Sequence, residues 1–167
     1  VAVNKDWRSR WFCCRKGFGD LVIEDGVIRD LVRKRLENAA VAEIIIERYA
    51  NRVRVSIYTA RPGIVIGRKG QDIERVRTEL SKMTRKEVYL EIREVMQPDA
   101  NAQLVAESIA VQINRRVSVK RAMKRAIKTA MDLGVDGIKV KACGRLGGAE
   151  LARVEWYKEG KIPLHTL

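Results

Sequence analysis

The residues best suited to chemistry sit in Gly63-Ile64-Val65-Ile66-Gly67-Arg68-Lys69-Gly70, followed by Ile73. Gly67 and Gly70 flank two basic residues, and glycines in such a turn let the backbone come close to a phosphodiester strand without interference from a Cβ. A helix starting just after Gly70 adds unpaired N–H groups and a positive dipole end at the same place. Ile64 and Ile66 give the groove an apolar side. The plainer alternative is a turn between two helices whose glycines only reverse the chain, with Arg68 and Lys69 solvated. Spacing excludes a nucleotide-hydrolysing loop: no two glycines are separated by four residues and followed by Lys and Ser or Thr, as G-x-x-x-x-G-K-[ST] requires.

A second group is Arg115, Arg116, Lys120, Arg121, Lys124, Arg125 and Lys128, in a stretch without one acid between Glu107 and Asp132. On a helix Lys120, Lys124 and Lys128 stand four apart, as do Arg121 and Arg125, so they form one basic ridge opposite Met123 and Ile127. Like charges at that spacing cost a few tenths of a kcal/mol per pair in an isolated helix. A polyanion would relieve the repulsion; the bland alternative is a solvated face that aids solubility. Near the start, Lys5, Arg8, Arg10, Arg15 and Lys16 interleave with Trp7, Trp11 and Phe12. Those aromatics could stack on bases or pack on the domain.

Other chemistries are poorly supplied. Three Cys, two of them adjacent at Cys13 and Cys14, form no C-x-x-C pair, so neither a disulfide framework nor a zinc ribbon fits, and a reducing compartment is the default. His165 is the only histidine, which rules out any site needing two imidazoles and favours a structural or surface role. Without a His–carboxylate cluster no metal, cofactor or catalytic group is expected. The aromatic RNP sequence of an RRM is also missing.

The whole chain carries a net charge of +13, and 46% of its residues are hydrophobic. That is enough apolar material for a core, since a chain of this size buries roughly two-thirds of its unfolded surface on folding. The excess calls for nucleic acid, an anionic membrane or an acidic protein as partner. No apolar run approaches the ~20 residues needed to span a bilayer, so no membrane partner is expected. By segment the excess is +3 in residues 1–20, +1 in 21–60, +3 in 61–95, +5 in 96–130 and +1 in 131–167. It is therefore concentrated on the arm, the glycine-loop half of the first domain and the acid-free helical stretch. The chain opens on Val1 rather than Met without a leader pattern, so trimming at its start is expected.

These groups need elements to hold them. Ile28, Leu31, Val32 and Leu36 recur at helical spacing and predict a helix over 26–38. Ile44 and Ile46, then Val53, Val55 and Ile57, alternate as two half-buried strands. Pro62 suits the first turn of a short helix reaching Ile66. Ile73, Val76, Leu80 and Met83 predict a helix over 71–83, and Val88, Leu90 and Ile92 a third strand. Pro98 marks a domain boundary, with Asp99 as candidate cap. Two helical patterns over 101–114 and 119–132 follow. Ile138, Val140 and Ala142 then alternate with Lys139 and Lys141, and Ala152, Val154 and Trp156 with Arg153, Glu155 and Tyr157. A hairpin covered by two helices is an α+β layer.

Set between two helices and flanked by strands, the glycine loop resembles the G-x-x-G of a KH module, which clamps about four nucleotides of single-stranded nucleic acid. Ala60-Arg61-Pro62-Gly63 through Gly70, Arg121-Ala122-Met123-Lys124-Arg125-Ala126, and Gly144-Arg145-Leu146-Gly147-Gly148-Ala149-Glu150 through Pro163-Leu164-His165-Thr166-Leu167 carry the likeness further. With them the chain resembles the S-three family of bacterial-type small-subunit ribosomal proteins, from about residue 25 to its last residue.

The resemblance implies an α+β fold in two small domains behind a basic aromatic arm over 1–20. A type II KH domain over 21–96 would have a three-stranded sheet with helices on one face. An α+β domain over 97–167, truncated at its end, would pack two helices on an antiparallel sheet. It further implies a place in the head of the small subunit, on its rRNA beside proteins S-ten and S-fourteen, lining the channel by which mRNA enters. Lys120, Arg121 and Lys124 would grip and open structured mRNA. The RNA-binding set is then Ile64, Ile66, Gly67, Arg68, Lys69, Gly70, Arg115, Arg116, Lys120, Arg121, Lys124, Arg125, Lys128 and Arg145. Lys120 stands where the family usually has Arg, which keeps charge but loses the bidentate fork, and Cys143 replaces the usual Ser. A cytoplasmic ribosome is implied, with an organelle ribosome also compatible.

Two rival functions belong to other classes. One is a nucleic-acid lyase or nuclease acting through a Schiff-base lysine, as in eukaryotic relatives, though no desolvated lysine can be named from sequence. The other is a free-standing KH regulator of transcripts, which would not be stoichiometric on small subunits.

Overall fold

The structure, a computed structural model, describes residues 6–67 and 70–163. The chain divides into two compact units, Asp6–Met96 and Gln97–Leu167.

In the first unit the elements run β1 (Ser9–Arg10), α1 (Phe18–Arg35), β2 (Val41–Arg48), β3 (Arg52–Thr59), α2 (Pro62–Ile66), α3 (Gln71–Thr84) and β4 (Glu87–Glu94). The strands form one sheet in the order β1-β2-β3-β4. The outer pairs, β1 with β2 and β3 with β4, are parallel, and the β2–β3 pair is antiparallel. Alternation in β3 sends Val53, Val55 and Ile57 to one side, where they meet Ile28 and Val32 of α1, Leu36 just after it, Val65 of α2, and Val76 and Leu80 of α3. All three helices thus bury their apolar stripes in one core.

The three expected strands are joined by the two-residue β1, and α1 begins eight residues before the periodicity predicts. Both differences have one cause. The first turns of α1 show no apolar stripe, because Phe18, Val22 and Ile23 are exposed. What fixes them is polar: the Asp25 carboxylate accepts hydrogen bonds from Ser9 Oγ (2.7 Å), Trp11 Nε1 (2.8 Å) and Arg48 Nη2 (2.6 Å). Arg48 also pairs with Glu24 at 2.9 Å, and Arg29 Nη2 donates to Ser9 Oγ at 2.6 Å. Asp25 and the Arg48 side chain are buried. A buried charge pair is tolerable when its remaining hydrogen-bonding positions are filled, and here residues 9–11 help to fill them. That ties residues 9–11 of the arm to the sheet.

The second unit contains α4 (Ala102–Asn114), α5 (Val119–Asp132), β5 (Gly137–Gly144) and β6 (Arg153–Gly160). Asp99 lies in a 3-10 turn, Pro98–Ala100, and the cap of α4 is Asn101, whose Oδ1 accepts from the backbone N–H groups of Gln103 (3.0 Å) and Leu104 (3.3 Å). Strands β5 and β6 pair antiparallel with Val140 opposite Tyr157 and Lys141 opposite Trp156. Val140, Ala142 and Tyr157 pack against Ile109, Ala122 and Met123. The register therefore turns Tyr157 inward and leaves Val154 and Trp156, which alternation makes the apolar set of β6, exposed on the outer face. Among the described residues no helix is long and apolar enough to cross a membrane.

Candidate nucleic-acid interface

The glycine loop is positioned from below by a buried threonine. Thr59 at the end of β3 donates through Oγ1 to the Ala39 carbonyl (2.6 Å) and accepts from the Arg61 N–H (3.1 Å), which sets where α2 begins. Pro62 occupies its first turn, as expected. One turn later Val65 is in the core while Ile64 and Ile66 stay half exposed, as the apolar wall of a groove requires.

Gly67 then ends α2 with φ 69° and ψ −171°, a region essentially reserved for glycine. A Cβ there would also collide with the Asp72 side chain. Gly70 caps α3 with φ 76° and ψ 10°, an ordinary left-handed turn with open space around it. Arg68 and Lys69 lie outside the described residues. The first turn of α3 also holds Asp72 and Glu74, so its N-terminal dipole is partly offset by the chain's own acids.

In the second unit Lys120, Arg121, Lys124, Arg125 and Lys128 are exposed along α5 and, with Ser118, line one shallow groove. Ala122, Met123, Ile127 and Ala130 are buried behind them. Among the described residues the ridge makes one ion pair, which the local sequence does not reveal: Glu155 of β6, whose Oε1 lies 3.7 Å from Lys120 Nζ; Asp132 and Glu159 line the cleft beside Lys124 and Lys128. Lys124 Nζ stands 5.8 Å from the centre of the Tyr157 ring, within cation–π range. Among the described residues Arg121, Arg125 and Lys128 have no ion-pair partner. Arg115 and Arg116 occupy the exposed turn between α4 and α5, Arg116 with a positive φ of 62°.

Two family models match the chain: "KH domain" over residues 27–100, and "Ribosomal protein S3, C-terminal domain" over residues 109–167. The first contains the glycine loop, the second the basic helix. Proteins described as small ribosomal subunit protein uS3 are similar along the whole chain. That of Roseobacter denitrificans is 55% identical, with all of this chain covering 71% of the relative. Those of Desulforamulus reducens and Magnetococcus marinus are each 51% identical, covered over 76% and 79% of their lengths. The chain belongs to the uS3 family. It is a ribosomal protein of the small subunit, with the RNA-binding module of that family in its first unit.

Within this uS3 fold the remaining expected residues are dispersed. Arg145 is exposed, and its Nε donates to the Ala149 carbonyl at 2.8 Å, closing the glycine-rich turn between β5 and β6. The arm aromatics divide: Trp11 packs on Phe18 with ring centres 5.4 Å apart, whereas Trp7 and Phe12 are exposed. His165 lies outside the described residues. Cys13, Cys14 and Cys143 are free; desolvation and the neighbouring Cys14 push the Cys13 thiol up, away from a reactive thiolate.

The sequence reading missed Lys139, Lys141 and Lys158. They surround Trp156 on the outer face of the β5–β6 hairpin. The signal was present in the strict alternation of Lys139 and Lys141.

Proposed function

We propose that this uS3 chain sits in the head of the small subunit, binds its rRNA, and lines the channel through which mRNA enters, gripping and helping to open structured mRNA. The observation that carries the reading is the exposed row of Lys120, Arg121, Lys124, Arg125 and Lys128, displayed opposite the buried face of α5 with a single ion pair, Lys120 to Glu155, among the described residues. A fixed row of cations with little internal neutralisation is a backbone-tracking surface for a single strand. It holds phosphates without reading bases. The G-x-x-G loop, Arg115, Arg116 and Arg145 supply further contacts, divided between rRNA and mRNA. Proteins S-ten and S-fourteen are the proposed protein neighbours, and the proposed location is the ribosome of a bacterial cytoplasm.

The test replaces Lys120, Arg121 and Lys124 together by Glu. Subunits should still assemble, and translation through a stable downstream hairpin should slow severalfold while unstructured messages are read normally. Undiminished progress through the hairpin would sink the gripping role. A lyase is the poorer reading, because a Schiff-base lysine needs a desolvated amine and no lysine among the described residues is buried.

A further inference from the structure

The outer face of the β5–β6 hairpin gathers a second cluster of cations, this one around an exposed aromatic ring. Lys139 and Lys141 project from β5, and Val154, Trp156 and Lys158 from β6, around a shallow groove that Gly160 and Ile162 extend. In the register Lys139 lies directly opposite Lys158, and Lys141 opposite Trp156. Like charges directly opposite each other destabilise a strand pair. Among the described residues none of the three lysines has an acid within ion-pair distance. An indole is also costly to leave in water, yet Trp156 is 54% and Val154 57% exposed.

From this juxtaposition we infer that the face binds single-stranded RNA, with Trp156 as a stacking platform for a base and the three lysines taking the flanking phosphates. Charge complementarity selects the occupant: an acidic or apolar protein would satisfy either the lysines or the indole, whereas a nucleotide strand brings a π-face and anions at the spacing of its repeat. Aromatic rings framed by cations bind single strands in this way without regard to sequence. The inference rests on the RNA-binding reading above and adds a surface to it.

Fluorotryptophan labelling of the full chain gives separate fluorine resonances for Trp7, Trp11 and Trp156, assigned with W7F, W11F and W156F. A short oligouridylate is titrated in at low salt, and binding is followed in parallel by anisotropy of a dye on the RNA. The Trp156 resonance should shift in step with binding while that of Trp11, bonded to Asp25, stays in place. Lys139→Gln, Lys141→Gln and Lys158→Gln together should raise the midpoint of that shift at least tenfold without altering the circular dichroism. Trp156→Ala should weaken oligouridylate binding by about five- to a hundredfold, and Trp156→Phe should largely restore it. Saturation by RNA with the Trp156 resonance unmoved overturns the inference and leaves the RNA-binding reading standing. No RNA binding at all overturns both. A Trp156 shift that depends on protein concentration and not on RNA makes the face a self-association surface and overturns the inference.

Discussion

Asp25 is the residue on which the first unit turns. Its buried carboxylate answers a buried guanidinium, a hydroxyl and an indole at once. Removing one member of such a set costs more than the pair contributes, because the other charge is left in a poorly solvating site. Asp25→Ala should therefore destabilise the unit by roughly 3–5 kcal/mol, a large share of the roughly 5–15 kcal/mol typical of a folded domain. Urea unfolding followed by circular dichroism measures it, and a midpoint within error of the parent would contradict the account. Nothing in the local sequence marks Asp25 as special. It looks like one more acid on a helix, and its partners are 14 to 23 residues away in the chain.

At the scale of elements, β3 and β4 illustrate how charge stabilises an exposed sheet face. Glu91 accepts from Arg93 at 3.0 Å and from Ser56 at 3.2 Å, with Arg54 at 3.8 Å. The Arg93 hydrogen bond outweighs desolvation and holds the Glu91 carboxyl below its ordinary value. A depressed folded-state pKa means the stabilisation is fully present above the unfolded pKa and is lost as pH falls through the folded one. Thermal melts of Glu91→Gln should lie below the parent at neutral pH and converge with it in acid; parallel curves would remove Glu91 from the acid limb. The same strands were readable beforehand, since Val53, Val55 and Ile57 against Arg52 and Arg54 is a period of two that one buried face imposes. Helices α3 and α5 were equally plain from their apolar stripes. Illegible were the first turns of α1, fixed by polar contacts rather than by a stripe. So was the face chosen by β6, where Tyr157 turns inward and Trp156 outward because the partner strand's Val140 and Ala142 set the register. The candidate site followed the same division. Residues on α5 were found because a helix displays its own pattern, whereas Glu155 reaches Lys120 only through folding.

For the whole molecule, most of the net charge of +13 lies on the arm, the glycine-loop half of the first unit and the α4–α5 stretch, and the outer face of the hairpin gathers three further lysines. Several modest surfaces give one steep property. If six or more phosphates are neutralised, affinity for RNA should fall by a factor on the order of a thousand or more between 50 and 200 mM salt, through release of condensed counterions. The slope of log affinity against log salt, measured by filter binding, reports the number of phosphates. A slope equivalent to one or two would mean that a single patch binds.

The parallel pairing of β1 with β2 also fixes an order of events during synthesis. Ser9 and Arg10 leave the ribosome early, but their partners Ile46 and Glu47 are about 37 residues behind, an interval of roughly 2–7 s at ordinary elongation rates. Arg48, which completes the charge on Asp25, arrives one residue after Glu47. The arm can meet Asp25 and Arg29 as soon as α1 is made, but it waits without its strand partner until β2 follows, and the strand pairing and the Arg48 charge arrive together. A nascent chain halted before Ile46 should hold the arm by its α1 contacts alone and be cut there by protease faster than one carried past β4, in which the strand pairing is complete.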